Sequence, residues 1–357
     1  MNDVIKKIRK KIDTLDKEIL QRLNTRGLLA KDIAKAKSVS NDKNIFRPER
    51  EAQILRKIIS ENKGPLNDGH LYSIYKEIIS SCLSLETEVQ VSYLGPEGSF
   101  SSSALKKFFG SSVTTSFKSS ILEIFNDVES KRVDYGIVPI ENSNQGSINQ
   151  TLDYLISKDI VICGEVNYAI KHCLLSKNKN LKGIKKIYSH EQSFMQCSDW
   201  ILKNLPNCEK YFMSSNSAAA KKVSKLSNAA AIASNDCSFN YKLNIIEKNI
   251  HDKANNTTRF IIIGKNHIAP SGSDKTSIII SLKNKSGALN SILEPLSKNK
   301  ISMTKIESIP TKINNWEYMF LMDIDGHIAM PNINKTLSTI KSKSLFYKHL
   351  GSYPKSI

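Results

Sequence analysis

At 357 residues the chain exceeds one ordinary core, so two or three domains are expected. With 40% hydrophobic and 24% charged residues it reads as soluble and globular, and no apolar window is long enough for a membrane span. The formal net charge of +18 is spread over the whole length, with no arginine-rich arm, which indicates a lysine bias and argues against a nucleic-acid interface. The six cysteines have neither disulfide-scaffold nor zinc-site spacing. The amino terminus leads directly into charged amphipathic sequence, so a cytoplasmic location is expected.

The first element reads as one helix over 4–37, with Ile5, Ile8, Ile12, Leu15, Ile19, Leu23, Ala30 and Ile33 at three- and four-residue steps. Such a helix rises about 50 Å, more than a small monomeric domain covers, so a partner subunit is expected. Pro48 starts a second helix and Asn67 or Asp68 caps a third through Leu85. At Val89 the pattern changes. Short apolar strands near 89–93, 133–139, 161–169, 186–189, 229–233 and 260–263 alternate with helical stretches, which predicts an α/β region of one unit or two lobes around a cleft. The polar run 269–274 reads as a linker. Beyond it the order is βαββαβ, that of a small ligand-binding module. The expected domains are therefore 1–88, 89–268 and 275–357.

Several stretches carry chemistry. Arg26 and Lys37 are eleven residues apart and share a helix face, whereas Arg9 points away from it. A symmetric dimer brings Arg9 of one chain to Arg26 and Lys37 of the other. Tyr93–Phe100 (YLGPEGSF) is a strand, tight turn and helix entry, and Val138–Ser143 (VPIENS) ends an apolar strand in polar residues. Ser189-His190-Glu191-Gln192, Ser215-Asn216-Ser217 and Asn255-Asn256-Thr257-Thr258-Arg259-Phe260 follow in order. In the tail, Lys285–Asn290 precedes a helix, Glu307-Ser308-Ile309-Pro310 ends a strand, and Trp316–Tyr318 begins another.

In order, spacing and wording these stretches resemble the bifunctional chorismate mutase/prephenate dehydratase family. The resemblance implies a multidomain fold: an all-helical chorismate mutase domain, a two-lobed α/β prephenate dehydratase domain and a βαββαβ ACT domain. It implies chorismate and prephenate as substrates, phenylalanine as effector, a homodimer or higher homo-oligomer, and no cofactor or metal. For the mutase it places Arg9, Arg26, Lys37, Arg47, Arg50, Glu51 and Glu86 on functional positions, with Cys82 near the substrate. Arg47 stands where the family often has aspartate, and Glu86 where some relatives have glutamine. A glutamate donates to the ether oxygen only when protonated, so mutase turnover is expected to improve toward acid pH.

For the dehydratase, Thr258 is the expected partner of the leaving hydroxyl, and Arg259 the carboxylate-binding or site-organising group. Glu141 and His190 are expected contributors, though a structural reading of His190 competes with the catalytic one. Asn142, Ser143, Gln192 and Ser215 are expected to position substrate, and Asn216 replaces a frequent threonine. The resemblance assigns regulation to Gly287, Ala288, Leu289 and Asn290 together with Glu307, Ser308, Ile309 and Pro310. Ile309 takes the place of a common arginine, which removes five donors and implies weakened or altered feedback. The competing account is a cytoplasmic two-lobed protein that binds a small anion or amino acid and has lost one or both activities.

Overall fold

Helix α1 (Asn2–Val39) is one 38-residue rod in the computed structural model, which describes residues 2–39, 46–253, 255–310 and 318–357. Along α1 the ridge of Ile5, Ile8, Ile12, Leu15 and Ile19 is 43–55% exposed, so among the described residues this part of the stripe that the periodicity predicts is left uncovered. Helix α2 (Pro48–Glu61) begins on Pro48, whose fixed φ suits a first turn. In helix α3 (Asp68–Leu83) the Asn67 side chain accepts from the His70 N–H at 2.8 Å and so caps the start. Helices α2 and α3 bury Ala52, Leu55, Ile79 and Leu83, each large aliphatic side chain contributing roughly 1.5–3 kcal/mol.

By contact density the chain forms two units, residues 1–89 with 109–114, and residues 90–108 with 115–357. The second unit begins with β1 (Gln90–Leu94), α4 (Phe100–Phe109), β2 (Thr114–Lys118), α5 (Ile121–Glu129), β3 (Tyr135–Asn142), β4 (Gly146–Ser147), α6 (Asn149–Ser157) and β5 (Val161–Ala169). It continues through β6 (Cys173–Ser176), β7 (Lys186–Ser189), α7 (Glu191–Gln196), α8 (Ser198–Asn204), β8 (Glu209–Phe212), α9 (Asn216–Val223), β9 (Ala229–Ala233), α10 (Asp236–Tyr241), β10 (Asn244–Glu247) and β11 (Thr257–Gly264). One sheet runs β2-β1-β3-β11-β5, with β4 paired to β3; the other runs β10-β6-β9-β7-β8. The chain leaves the first sheet after β5 and returns at β11, which makes two lobes. Strands β2, β8 and β10, which the sequence pattern did not mark, lie at sheet edges, where a strand can stay exposed and polar, whereas β6, also unmarked, is a short buried strand inside the second sheet.

The expected linker is a bonded turn. The Ser271 N–H and hydroxyl both donate to the Asp274 carboxylate, at 2.9 and 2.5 Å, and Asp274 already belongs to β12 (Asp274–Ser281). Helix α11 (Ala288–Lys298), β13 (Met303–Pro310), β14 (Tyr318–Asp325), α12 (Pro331–Lys343) and β15 (Phe346–Pro354) complete the βαββαβ order, and the sheet runs β13-β14-β12-β15, all antiparallel. Trp316 and Glu317 lie outside the described residues. One face of this sheet packs on α11 and α12 through Ile278, Ile280, Leu296 and Ile340. The other face joins Ile279, Leu321, Leu350 and Tyr353 to Val138, Ile140, Ile261 and Ile263 of the first lobe. Gly351 permits this close approach, because a Cβ there would run into the Ile162 backbone. Among the described residues no helix is long and apolar enough to cross a membrane.

Candidate functional site

A cavity of about 320 Å³ opens between the two lobes of the second unit. It is lined by the turn after β1 (Gly95, Gly98, Ser99), by Asn142 at the end of β3 and Gln145 beyond it, and by His190, Gln192 and Ser193 after β7. Ser215–Ser217 at the start of α9 and Asn256, Thr258 and Phe260 of the β11 segment close it. Gly98 has φ +79, and a Cβ there would lie 3.0 Å from the Cys237 sulfur, so the first turn must be glycine to seat against α10. Among the described residues that line the cavity none is lysine or arginine. The anion-attracting groups are instead the starts of α4 and α9, whose free N–H groups carry partial positive charge.

Thr258 and Asn142 face each other across the β3–β11 ladder. Asn142 Nδ2 donates to Thr258 Oγ1 at 2.8 Å and to Asn256 Oδ1 at 2.9 Å, while Asn142 Oδ1 accepts from the Asn144 N–H at 3.0 Å. That last bond sets which way the amide points, and both Nδ2 protons are then used. Thr258 Oγ1 is therefore an acceptor toward Asn142 and keeps its own proton for another partner. His190 caps α7, its Nδ1 accepting from the Gln192 N–H at 3.2 Å, which leaves the proton on Nε2. Asn216 receives the Ser189 hydroxyl at 3.0 Å and the His190 N–H at 3.1 Å, and it donates to Ser193 at 2.8 Å. In this chain it ties two of the site's turns together.

Four expected dehydratase residues stand elsewhere or act differently. Arg259 does not line the cavity, because successive side chains on a strand point to opposite faces and Thr258 takes the cleft side. Its guanidinium is buried, with Nε on Glu165 at 2.8 Å, Nη1 on Asp323 at 2.6 Å and Nη2 on the Tyr353 hydroxyl at 2.9 Å. Burial opposes this charge, but Tyr353, Asp323 and Glu165 outweigh it and raise the Arg259 pKa above its ordinary value. Glu141 likewise turns from the cleft and meets Lys305 at 2.7 Å. Ser143 is spent on the backbone, donating to Asn255 O and accepting from the Thr257 N–H. Ser215 lines the cleft, yet its hydroxyl accepts from the Ala218 N–H at 3.0 Å as the α9 cap.

His172 and Gln196 also line the cavity without having been marked by any sequence motif. Their side chains meet at 2.8 Å, and burial lowers the His172 pKa below its ordinary value, which favours the neutral ring.

In the helical unit Lys37 Nζ meets Glu86 Oε2 at 2.9 Å, and Arg26 Nη1 donates to Ile78 O at 3.4 Å. Cys82 is buried beside a cavity of about 540 Å³ lined by Leu23, Gly27, Leu28, Ile78 and Leu85. Arg9 and Arg50 are exposed, Arg9 lying roughly 25 Å along the helix from Arg26. Glu51 is buried against Lys76 at 2.6 Å, and Arg47 meets Glu49 at 3.6 Å.

In the C-terminal domain Ala288 and Leu289 line a cavity of about 170 Å³ with Lys283, Asn284, Lys285 and Phe320. Gly287 supplies the left-handed turn into α11, at φ +77, and Asn290 sits in its first turn. Glu307 and Ser308 lie on β13, which Pro310 ends. Ile309 is buried in the core shared with the first lobe, an apolar seat that explains why an apolar residue stands there.

Residues 8–87 match the family of chorismate mutase type II, 91–268 that of prephenate dehydratase, and 276–341 the ACT domain. A bifunctional chorismate mutase/prephenate dehydratase of Stutzerimonas stutzeri is 43% identical over 360 residues, covering 99% of each chain. Among solved structures, a prephenate dehydratase from Arthrobacter aurescens in complex with L-Phe is 29% identical, with a TM-score of 0.68, covering 74% of this chain and 90% of that one. The quorum-quenching acylase GqqA is 25% identical with the same TM-score, covering 75% and 98%, so the two-lobed fold alone does not decide the reaction. With both catalytic regions and the regulatory one matched in order, and a full-length relative at this identity, the chain belongs to the bifunctional chorismate mutase/prephenate dehydratase family.

Proposed function

We propose that prephenate is turned over in the cleft around Thr258, and that the Lys37–Glu86 pair is the catalytic edge of the mutase site. As a family member the chain carries both activities of phenylalanine synthesis: rearrangement of chorismate to prephenate, then decarboxylation and dehydration of prephenate to phenylpyruvate. In the second step the ring carboxylate leaves as carbon dioxide, its bonding electrons enter the ring, and the opposite hydroxyl departs with a proton as water. Departure of hydroxide is the difficult event, and a hydrogen-bond donor at that oxygen eases it. The observation that carries the reading is the Asn142–Thr258 bond, which consumes a threonine lone pair and leaves its O–H to donate into the cleft. The Nε2–H of His190 offers a second donor. The α4 and α9 starts suit the substrate's carboxylates.

For the mutase, Lys37 and the protonated form of Glu86 would both address the ether oxygen as its bond breaks. Catalysis there is electrostatic stabilisation and selection of the compact conformer. A second copy laid along α1 would cover its exposed ridge and bring Arg9 to the partner's site, which supports a homodimer. Phenylalanine is the proposed effector of the C-terminal domain at the Ala288–Leu289 cavity. Weakened or altered feedback is expected, because Ile309 takes the place of a guanidinium.

The test is a chorismate time course that resolves prephenate and phenylpyruvate, run on the wild-type chain and on Thr258→Val. Wild type should form both in sequence. Thr258→Val should accumulate prephenate, its dehydratase rate lower by roughly 10²–10⁴-fold. Undiminished phenylpyruvate from the variant would refute the role of Thr258.

A further inference from the structure

The ladder between β3 and β11 pairs Thr258 with Asn142 and, one step on, Arg259 with Glu141. Alternation of side chains sends the first pair into the cleft and the second to the opposite face, toward the C-terminal sheet. There Lys305 of β13 meets Glu141 at 2.7 Å and Glu307 at 2.9 Å, while Asp323 of β14 holds Arg259. Lys305 also donates to Ser147 Oγ at 3.3 Å, and Ser147 donates to Glu307. Glu141 and Ser147 are register partners across the β3–β4 hairpin. The turn of that hairpin presents Asn142 and Gln145 to the cleft. A single ammonium therefore grips both arms of the hairpin whose tip orients Thr258.

We propose that Lys305 is a positioning residue for dehydration, and that the C-terminal domain thereby serves as the back wall of the dehydratase site. This rests on the reading of the cleft as that site. Without the ammonium, the Glu141 and Glu307 carboxylates lose their shared counter-charge and the hairpin loses its clamp. The Asn142 amide then shifts against Thr258, and a displacement of about 1 Å in a reacting constellation costs up to roughly 10²-fold in rate. The same link gives the segment around Glu307 a direct mechanical hold on the cleft.

The experiment measures prephenate turnover by the full chain as wild type, Lys305→Met, Lys305→Arg, Glu141→Gln and the double variant Glu141→Gln/Lys305→Met. Lys305→Met should lower kcat roughly tenfold with KM little changed, and Lys305→Arg should restore most of the rate. The double variant should be no slower than the slower single one, because Lys305→Met already breaks the Glu141–Lys305 contact that Glu141→Gln weakens. Turnover by Lys305→Met within about twofold of wild type, Lys305→Arg as slow as Lys305→Met, or additive losses in the cycle would each overturn the proposal. Should Lys305→Met fail to fold, Ser147→Ala removes only the hydroxyl shared by Lys305 and Glu307. A several-fold drop in kcat then supports the clamp, and an unchanged rate overturns it. Full activity in Thr258→Val is a different failure, that of the cleft assignment itself.

Discussion

Replacing Arg259 by lysine separates a residue that touches substrate from one that holds the site from behind. The guanidinium makes three bonds in different directions, to Glu165, Asp323 and Tyr353, and a lysine ammonium reaches one carboxylate at best. Two bonds are lost, each worth about 1.5–3 kcal/mol because a charge is involved. Glu165 keeps Lys275 at 2.8 Å and Asp323 keeps the Ser277 hydroxyl at 2.5 Å, so the loss falls near the lower end, about 3 kcal/mol in all. Arg259→Met removes the charge as well and should cost about 3–5 kcal/mol. Urea unfolding followed through tryptophan fluorescence measures this, and prephenate turnover on the same samples is assayed well below the transition. The expected result is a large shift of the midpoint, a modest fall in kcat and an unchanged KM. A midpoint at the wild-type value, with kcat down more than about a hundredfold, would mean that Arg259 acts on the substrate, and the back-face reasoning would fail.

Glu86→Gln supplies an amide donor whatever the protonation of the carboxylate it replaces, so the variant should exceed wild-type mutase turnover near neutrality; a variant slower than wild type there would contradict this. Ile12→Asp on the α1 ridge should be nearly neutral for a monomer but should split a dimer, read by sedimentation, with mutase activity lost alongside; unchanged sedimentation would remove the case for pairing there. His349 is held at about 4 against an ordinary 6.5 by burial, with His267 and His327 adding to it. The unfolded chain therefore takes up this proton first as pH falls. The stability contribution is complete above about pH 6.5 and is lost on the way down to about 4, amounting to roughly 3 kcal/mol. His349→Gln should flatten that part of the stability profile, and an unchanged acid slope would sink the assignment.

Much of the molecule was legible in one dimension because its signals are local. The 3.6-residue ridge from Ile5 to Leu23, the cap at Asn67, the buried apolar runs of β9 and β11, and the βαββαβ order each depend on residues close in sequence. The ordered motifs named the family for the same reason, and Thr258, Asn142, His190, Gln192 and Ser215 do converge on one cavity. The edge strands β2, β8 and β10 escaped notice because half-exposed strands need no hydrophobic alternation.

What the tertiary structure decided was facing and partnership. Thr258 and Arg259 are neighbours in sequence, and only the pleat of β11, with one sheet in front and another behind, sends one to the cleft and the other to Asp323 some sixty residues away. Glu141 and Asn142 divide in the same way. His172 and Gln196 enter the site from separate elements that share no motif. Local periodicity determines which residues form a strand, whereas the long-range packing on its two faces determines what each of them meets.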